Sequence, residues 1–286
     1  MRTIIRSNAK INLGLDVINK REDGYHNLDM IMAPIDLFDF MEVEIFDEEG
    51  TVEMTSNIPG IPTDSSNIIV KCSNAFYRES KLPEKKMKID LQKNVPFSAG
   101  LGGGSSNGAE ILKFLNSFYG NFFSEEKLIE ISKKIGADIP FFIKNSCARV
   151  RGIGEIIEPV KNGIKEKLIL IKPKFGINTG YAYGAIYKAG EIKRADIEII
   201  KKYVESGNVK ELEKNIENSI WYALRNIDEN IMEFERRILA EIGLRFFMSG
   251  SGSCYYAFVD SEEANATFEN LKKKYSDCFI SLNSFL

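Results

Sequence analysis

The stretch of this 286-residue chain best equipped for chemistry is Pro96-Phe97-Ser98-Ala99-Gly100-Leu101-Gly102-Gly103-Gly104-Ser105-Ser106. Four of the five positions 100–104 are glycine, and two hydroxyls follow them. Without a Cβ, such a backbone adopts positive φ and approaches an anion closely. An alternating strand pattern precedes the run and a helical pattern follows it. The loop therefore presents the unpaired N–H groups and positive dipole end of a helix N-terminus. That is a seat for a polyphosphate. Ser105 and Ser106 add hydroxyls, as phosphate donors or as a ligand to the Mg²⁺ of ATP. A purely structural turn does not need so many glycines at a strand-to-helix junction.

The loop fits none of the commoner nucleotide motifs. No lysine follows the glycines as in G-x-x-x-x-G-K-[ST]. Ser105 occupies the sixth position, where G-x-G-x-x-G needs glycine. The H-R-D and D-F-G signatures of protein kinases are missing from the sequence.

The elements around the loop follow from periodicity. Ile4-Ile5, residues 11–17, 41–46 and 87–91 alternate apolar with polar or small residues, the period of a half-buried strand. Residues 66–77 carry Ile68, Ile69, Cys72, Ala75 and Phe76 at helix spacing. Beyond the loop, Ala109, Ile111, Leu112, Leu115 and Phe118 form one helical face, with Gly120 as its stop. Ser124 before Glu125-Glu126 reads as an N-cap of a further helix ending at Gly136. A strand at 168–171, a charge-rich helical stretch at 190–240, and a second glycine turn Ser249-Gly250-Ser251-Gly252-Ser253 leading into a strand at 255–259 complete the pattern. Residues 50–66, rich in Ser, Pro and Gly, read as a mobile loop. Strands and helices mix without regular alternation, which predicts an α+β fold in two lobes, 1–160 and 161–286.

Bulk properties narrow the partners. Hydrophobic residues make up 44% and charged residues 28% of the chain, an ordinary globular balance. The net charge of −3 leaves no basic surplus for nucleic acid. Four widely spaced cysteines form no disulfide framework or zinc knuckle. Neither a signal-peptide pattern nor an apolar run of 18 residues is present, so the expected compartment is the cytoplasm and no membrane is involved.

Three blocks in register carry a resemblance to a family. Ala9-Lys10-Ile11-Asn12-Leu13-Gly14-Leu15, the glycine loop, and Met248-Ser249-Gly250-Ser251-Gly252 are similar to the three conserved blocks of the GHMP kinases. Lys20-Arg21-Glu22-Asp23-Gly24-Tyr25-His26-Asn27-Leu28, Gly136-Ala137-Asp138-Ile139-Pro140-Phe141-Phe142 and Gly152-Ile153-Gly154-Glu155 resemble blocks of one branch. That branch phosphorylates the 2-hydroxyl of a cytidine diphosphate methylerythritol in the non-mevalonate isoprenoid route. The resemblance implies a lobe like ribosomal protein S5 domain 2, a ferredoxin-like C-terminal lobe, and ATP with Mg²⁺ as cofactors. Another kinase of the superfamily, or an ATP-binding regulator without catalysis, is the alternative. A monomer or weak homodimer is expected.

Site residues follow from the same resemblance. Asp138 matches the catalytic aspartate and Lys10 the catalytic lysine; residues 96–106 would hold ATP, with Ser106 the candidate metal ligand and no fuller set assigned. Asn12 would hold the substrate and Thr179 would place a hydroxyl near the reacting groups. His26, the sole histidine, would read cytosine, since a neutral imidazole both donates and accepts. Tyr25 and Tyr183 would stack on the base, with Tyr181 and Tyr187 as alternatives to Tyr183. Gly250 and Gly252 are expected to form a second tight turn against the phosphate loop. One departure stands out. Asn107-Gly108-Ala109 replaces the family's more usual Asp-Ala-Ala, and Gly108 should cost the helix up to about 1 kcal/mol relative to alanine.

Overall fold

A computed structural model describes residues 1–190 and 192–286 and forms two compact units. Two long strands contribute to both: β1 (Arg2–Lys20) and β2 (His26–Glu49), which pair with each other. Sequence alternation finds only pieces of them, at 4–5, 11–17 and 41–46. In β1 the apolar pattern is interrupted by Ser7, Asn8, Lys10 and Asn12, which are buried although polar. In β2, Met30-Ile31-Met32-Ala33 is buried at every position, so no period of two is left to read.

The first unit comprises residues 1–9, 37–95 and 102–145. Here β2 pairs antiparallel with β4 (Lys85–Gln92), and β4 pairs parallel with β3 (Val52–Ser56). Part of the expected 50–66 loop is therefore a strand, its buried Met54 in register with Ile89. Helix α1 (Ile68–Ser80) packs on α2 (Gly103–Phe118), which also meets α4 (Ile139–Lys144); α3 (Glu125–Lys133) packs on α4. Ser124 caps α3 as expected, its hydroxyl accepting from the Lys127 amide at 3.3 Å. Val43, Met87, Ile89, Cys72, Phe76, Ile111, Leu112 and Leu115 are among the core residues.

The second unit comprises residues 10–36, 96–101 and 146–286. Residues 28–32 of β2 pair with β5 (Ala148–Gly152), and β5 with β6 (Ile156–Pro159), a hairpin the sequence reading lacks. A four-stranded antiparallel sheet follows, built from β7 (Lys167–Lys172), β8 (Phe247–Met248), β9 (Tyr255–Val259) and β10 (Phe279–Asn283) in the order β10-β7-β9-β8. The expected helical stretch 190–240 includes Glu191, which lies outside the described residues. The rest resolves into short helices: α6 (Ile197–Ser206), α7 (Val209–Asn215), α8 (Ser219–Leu224) and α9 (Glu229–Phe234), after α5 (Thr179–Lys188). Asp196, Asn208, Asn218 and Asp228 each cap the helix they precede, which is why the stretch breaks into pieces. A π-helical turn (Glu235–Leu239), a last turn α10 (Ala240–Ile242) and α11 (Ala264–Lys274) complete the unit. Among the described residues no helix is long and apolar enough to cross a membrane.

Candidate active site

Lys10 and Asn12 lie two apart on β1, so their side chains share one face of the strand. Both are 3% exposed. The Lys10 ammonium donates to Asn12 Oδ1 at 2.5 Å and to the Gly100 carbonyl at 2.8 Å. The Asn12 amide nitrogen of the side chain points to Met30 Sδ at 3.3 Å.

The second glycine turn interlocks with the phosphate loop at the same point. Ser249 Oγ donates to the Gly100 carbonyl at 3.0 Å and accepts from the Asn12 backbone N–H at 3.2 Å. The Cys254 N–H reaches the Ala99 carbonyl at 3.1 Å. Glycine is required on both sides. A Cβ at Gly100 would lie 2.1 Å from the Ser249 carbonyl oxygen, and one at Gly250 would lie 3.1 Å from Asn12 Oδ1 and 3.3 Å from Lys10 Nζ. Both also have positive φ, +74° and +56°. Asn218, not singled out in the sequence, holds the turn from behind by donating to the Met248 and Gly250 carbonyls at 3.0 and 2.8 Å. An isolated asparagine gives no signal of such a role in sequence.

The phosphate loop ends in the first turn of α2. Its N-cap Gly102 takes the left-handed conformation (φ +69°) and supplies no side-chain cap. The Ser106 hydroxyl is buried with no hydrogen-bond partner. Such an orphaned oxygen is costly; Ser73 Oγ and Asn145 Oδ1 are likewise buried without a partner among the described residues. Gly108 also acquires a reason. A Cβ there would sit 2.5 Å from Ile68 Cγ2 and 2.9 Å from Cys72 Sγ, so glycine permits the close crossing of α1 and α2.

Asp138 stands immediately before α4, half-buried, at the N-cap position yet making no capping hydrogen bond. Its carboxylate is thus not committed to the helix it precedes.

The residues expected to read a nucleobase are brought together in the second unit. Arg21 to Tyr25 form a tight turn: the Tyr25 N–H donates to Asp23 Oδ1 at 3.1 Å, the Arg21 N–H to the Tyr25 carbonyl at 2.8 Å, and Gly24 has φ +85°. The turn leaves the Tyr25 ring exposed and starts β2 at His26. His26 stacks on Tyr183, ring centroids 4.7 Å apart and planes 24° apart. Its Nε2 lies 2.8 Å from the Tyr187 hydroxyl. Burial, then the nearby Lys20 ammonium, lowers the His26 pKa and favours neutral imidazole. Of the three tyrosines weighed from sequence, Tyr183 and Tyr187 both meet His26. Tyr181 is committed instead to Asp228 Oδ2 at 3.0 Å. Thr179 is the exposed first residue of α5, the helix that carries Tyr183.

Residues 67–146 match the GHMP kinases N terminal domain, and residues 200–277 match GHMP kinases C terminal. A 4-diphosphocytidyl-2-C-methyl-D-erythritol kinase from Fusobacterium nucleatum is 46% identical over 270 residues, covering 94% of this chain and 92% of that protein. The chain belongs to the 4-diphosphocytidyl-2-C-methyl-D-erythritol kinase family of GHMP kinases. A second member of the family, from Clostridium acetobutylicum, is 37% identical and covers 97% of this chain and 98% of its own length. A crystal structure of 4-(cytidine 5'-diphospho)-2C-methyl-D-erythritol kinase superposes with a TM-score of 0.79 at 27% identity over 99% of both chains. This GHMP kinase accordingly has the α+β fold that its motifs imply.

Proposed function

We propose that this GHMP kinase transfers the γ-phosphoryl group of ATP to the 2-hydroxyl of 4-diphosphocytidyl-2-C-methyl-D-erythritol, with ADP as the second product. The observation that carries the reading is the His26–Tyr183 stack beside Tyr187 and the exposed Tyr25. A neutral ring whose Nε2 pairs with the Tyr187 hydroxyl leaves Nδ1 to donate or accept toward a cytosine edge, flanked by π-faces. It occurs on the chain that also carries the glycine loop and Lys10.

In the reaction, the 2-hydroxyl oxygen bonds to the γ-phosphorus as the bond to the β-phosphate bridging oxygen breaks. The hydroxyl proton passes to the Asp138 carboxylate. Lys10 supplies positive charge to the oxygens on which charge accumulates, and Asn12 fixes its ammonium. Backbone N–H groups of the 96–106 loop, other than Pro96, which has none, and Ser106, which donates to the Gly102 carbonyl, hold the phosphates, and Thr179 orients the acceptor. The phosphates carry Mg²⁺, which neutralises their charge when bound. The partnerless Ser106 hydroxyl fits as its protein ligand, and among the described residues no cluster of three or more His, Cys, Asp or Glu side chains offers another site. The reading includes action in the cytoplasm as a monomer or weak homodimer.

The test is ADP release with Mg-ATP and 4-diphosphocytidyl-2-C-methyl-D-erythritol, run beside mevalonate, homoserine and galactose. Turnover on the cytidyl substrate alone, cut by about 10²–10⁴ in Asp138→Asn, is expected. Turnover on another alcohol would discard the substrate. ATP binding with no turnover on any of the four would leave a regulator.

A further inference from the structure

Beneath the first turn of α2 lies a buried polar cluster with no part in the chemistry above. Asp39 is wholly buried and forms an ion pair with Lys93, itself buried. The other contacts of its carboxylate are equally directed. Oδ1 accepts the backbone N–H groups of Asn94 and Val95, both at 2.8 Å, and Oδ2 accepts the Asn107 side-chain amide at 3.0 Å. Asn107 Nδ2 donates onward to Ser7 Oγ at 2.5 Å, and its Oδ1 faces the Lys93 ammonium at 3.4 Å.

Burying an ion pair seldom gains net stability, because desolvation consumes most of the Coulomb attraction. Burial pushes the Lys93 pKa down, and the Asp39 charge opposes that shift. What such a cluster supplies is geometry. Its contacts fall on two short segments: 93–95, which enters the glycine loop, and 107, one turn into the helix that leaves it. The loop is thus clamped at both ends by one carboxylate. The clamp is tight, since a Cβ on Gly103, the first residue of α2, would lie 2.7 Å from Lys93 Nζ. The partnerless Ser106 hydroxyl occupies the position next to Asn107 on the same helical turn.

We propose that Asp39, through Lys93 and Asn107, is the positioning residue of the phosphate loop, holding residues 96–106 in the conformation that receives the ATP phosphates. Position 107 is then an amide for a reason. It must donate to Asp39 and Ser7 while accepting from Lys93, which a carboxylate cannot do beside a second carboxylate. The proposal rests on the ATP-binding role given to the loop.

The experiment is calorimetric titration of Mg-ATP into the full chain, paired with steady-state kinetics, for wild type, Asn107→Ala and Ser7→Ala. Circular dichroism checks that each is folded. Asn107→Ala should weaken Mg-ATP binding about fivefold or more, the equivalent of one lost buried hydrogen bond. The KM for the alcohol substrate should move less than about twofold, on the same scale. Ser7→Ala, which leaves the Asp39–Lys93 pair untouched, should show a smaller loss of the same kind, and it carries the test if Asn107→Ala does not fold. A folded variant binding Mg-ATP as wild type does, or losing both substrates equally, overturns the proposal. Wild type that binds no ATP refutes the loop's role itself, a distinct outcome.

Discussion

Lys10 and Ser249 donate to the same oxygen, the carbonyl of Gly100, at 2.8 and 3.0 Å, from residues 239 positions apart in the chain. Ser249 also receives the Asn12 backbone N–H, so its hydroxyl ties the strand that carries Lys10 to the glycine loop proposed to receive phosphate. The second glycine turn is therefore a support for the lysine.

Replacing Ser249 by alanine should then lower kcat more than it raises either KM. Loss of a positioning hydrogen bond of about 1–1.5 kcal/mol corresponds to a fall of about five- to tenfold. Ser249→Thr, which keeps a hydroxyl, should recover part of it. Steady-state kinetics with both substrates decide; equal rate constants for wild type and Ser249→Ala would remove the role.

Gly108→Ala sets two effects against each other. Alanine favours the helix by up to about 1 kcal/mol. Its methyl, however, meets Ile68 Cγ2 at 2.5 Å and Cys72 Sγ at 2.9 Å. Overpacking of this kind costs about 1–3 kcal/mol, so the variant should be destabilised on balance. Urea denaturation measures it, and a raised midpoint would show that α1 moves aside freely.

Substrate recognition should depend on pH through His26. Its pKa in the folded protein lies below the usual value of about 6.5. The unfolded chain therefore takes up the proton first as pH falls. Any contribution of neutral His26 is complete at pH 7 and is lost as pH drops through the depressed value. The KM for the cytidyl substrate should be flat above pH 7 and rise on acidification, whereas His26→Gln should flatten the profile. A wild-type KM that stays flat on acidification down to the pH at which the protein unfolds contradicts the neutral-imidazole role.

Asp138→Asn keeps the size of the side chain and removes the proposed proton acceptor. Turnover should fall by about 10²–10⁴, the usual contribution of a general base. Because the Asp138 side chain makes no capping bond, thermal stability and Mg-ATP affinity should change little. Single-turnover kinetics with calorimetry test it, and a mutant of near-normal rate would assign the proton elsewhere.

What the sequence alone determined here was local and short-ranged. The glycine loop and the Ser124 cap are legible because a few contiguous residues decide backbone conformation through φ preferences and side-chain caps. The family blocks point to Lys10, Asp138 and His26 as candidates for the same reason, since each sits within a distinctive run. Tertiary structure decided whatever depended on burial or on distant partners. Long strands were hidden where polar Ser7, Lys10 and Asn12 are buried, because periodicity assumes that polar residues face water. Which of Tyr183, Tyr181 and Tyr187 meets His26 depended on distant partners: Tyr183 stacks on its ring, the Tyr187 phenol reaches it, and the Tyr181 phenol reaches Asp228. Asn107 and Gly108 looked like a weak helix start until their neighbours were known. One completes a buried hydrogen-bond cluster and the other admits a close helix crossing, and neither contact lies within reach of local sequence.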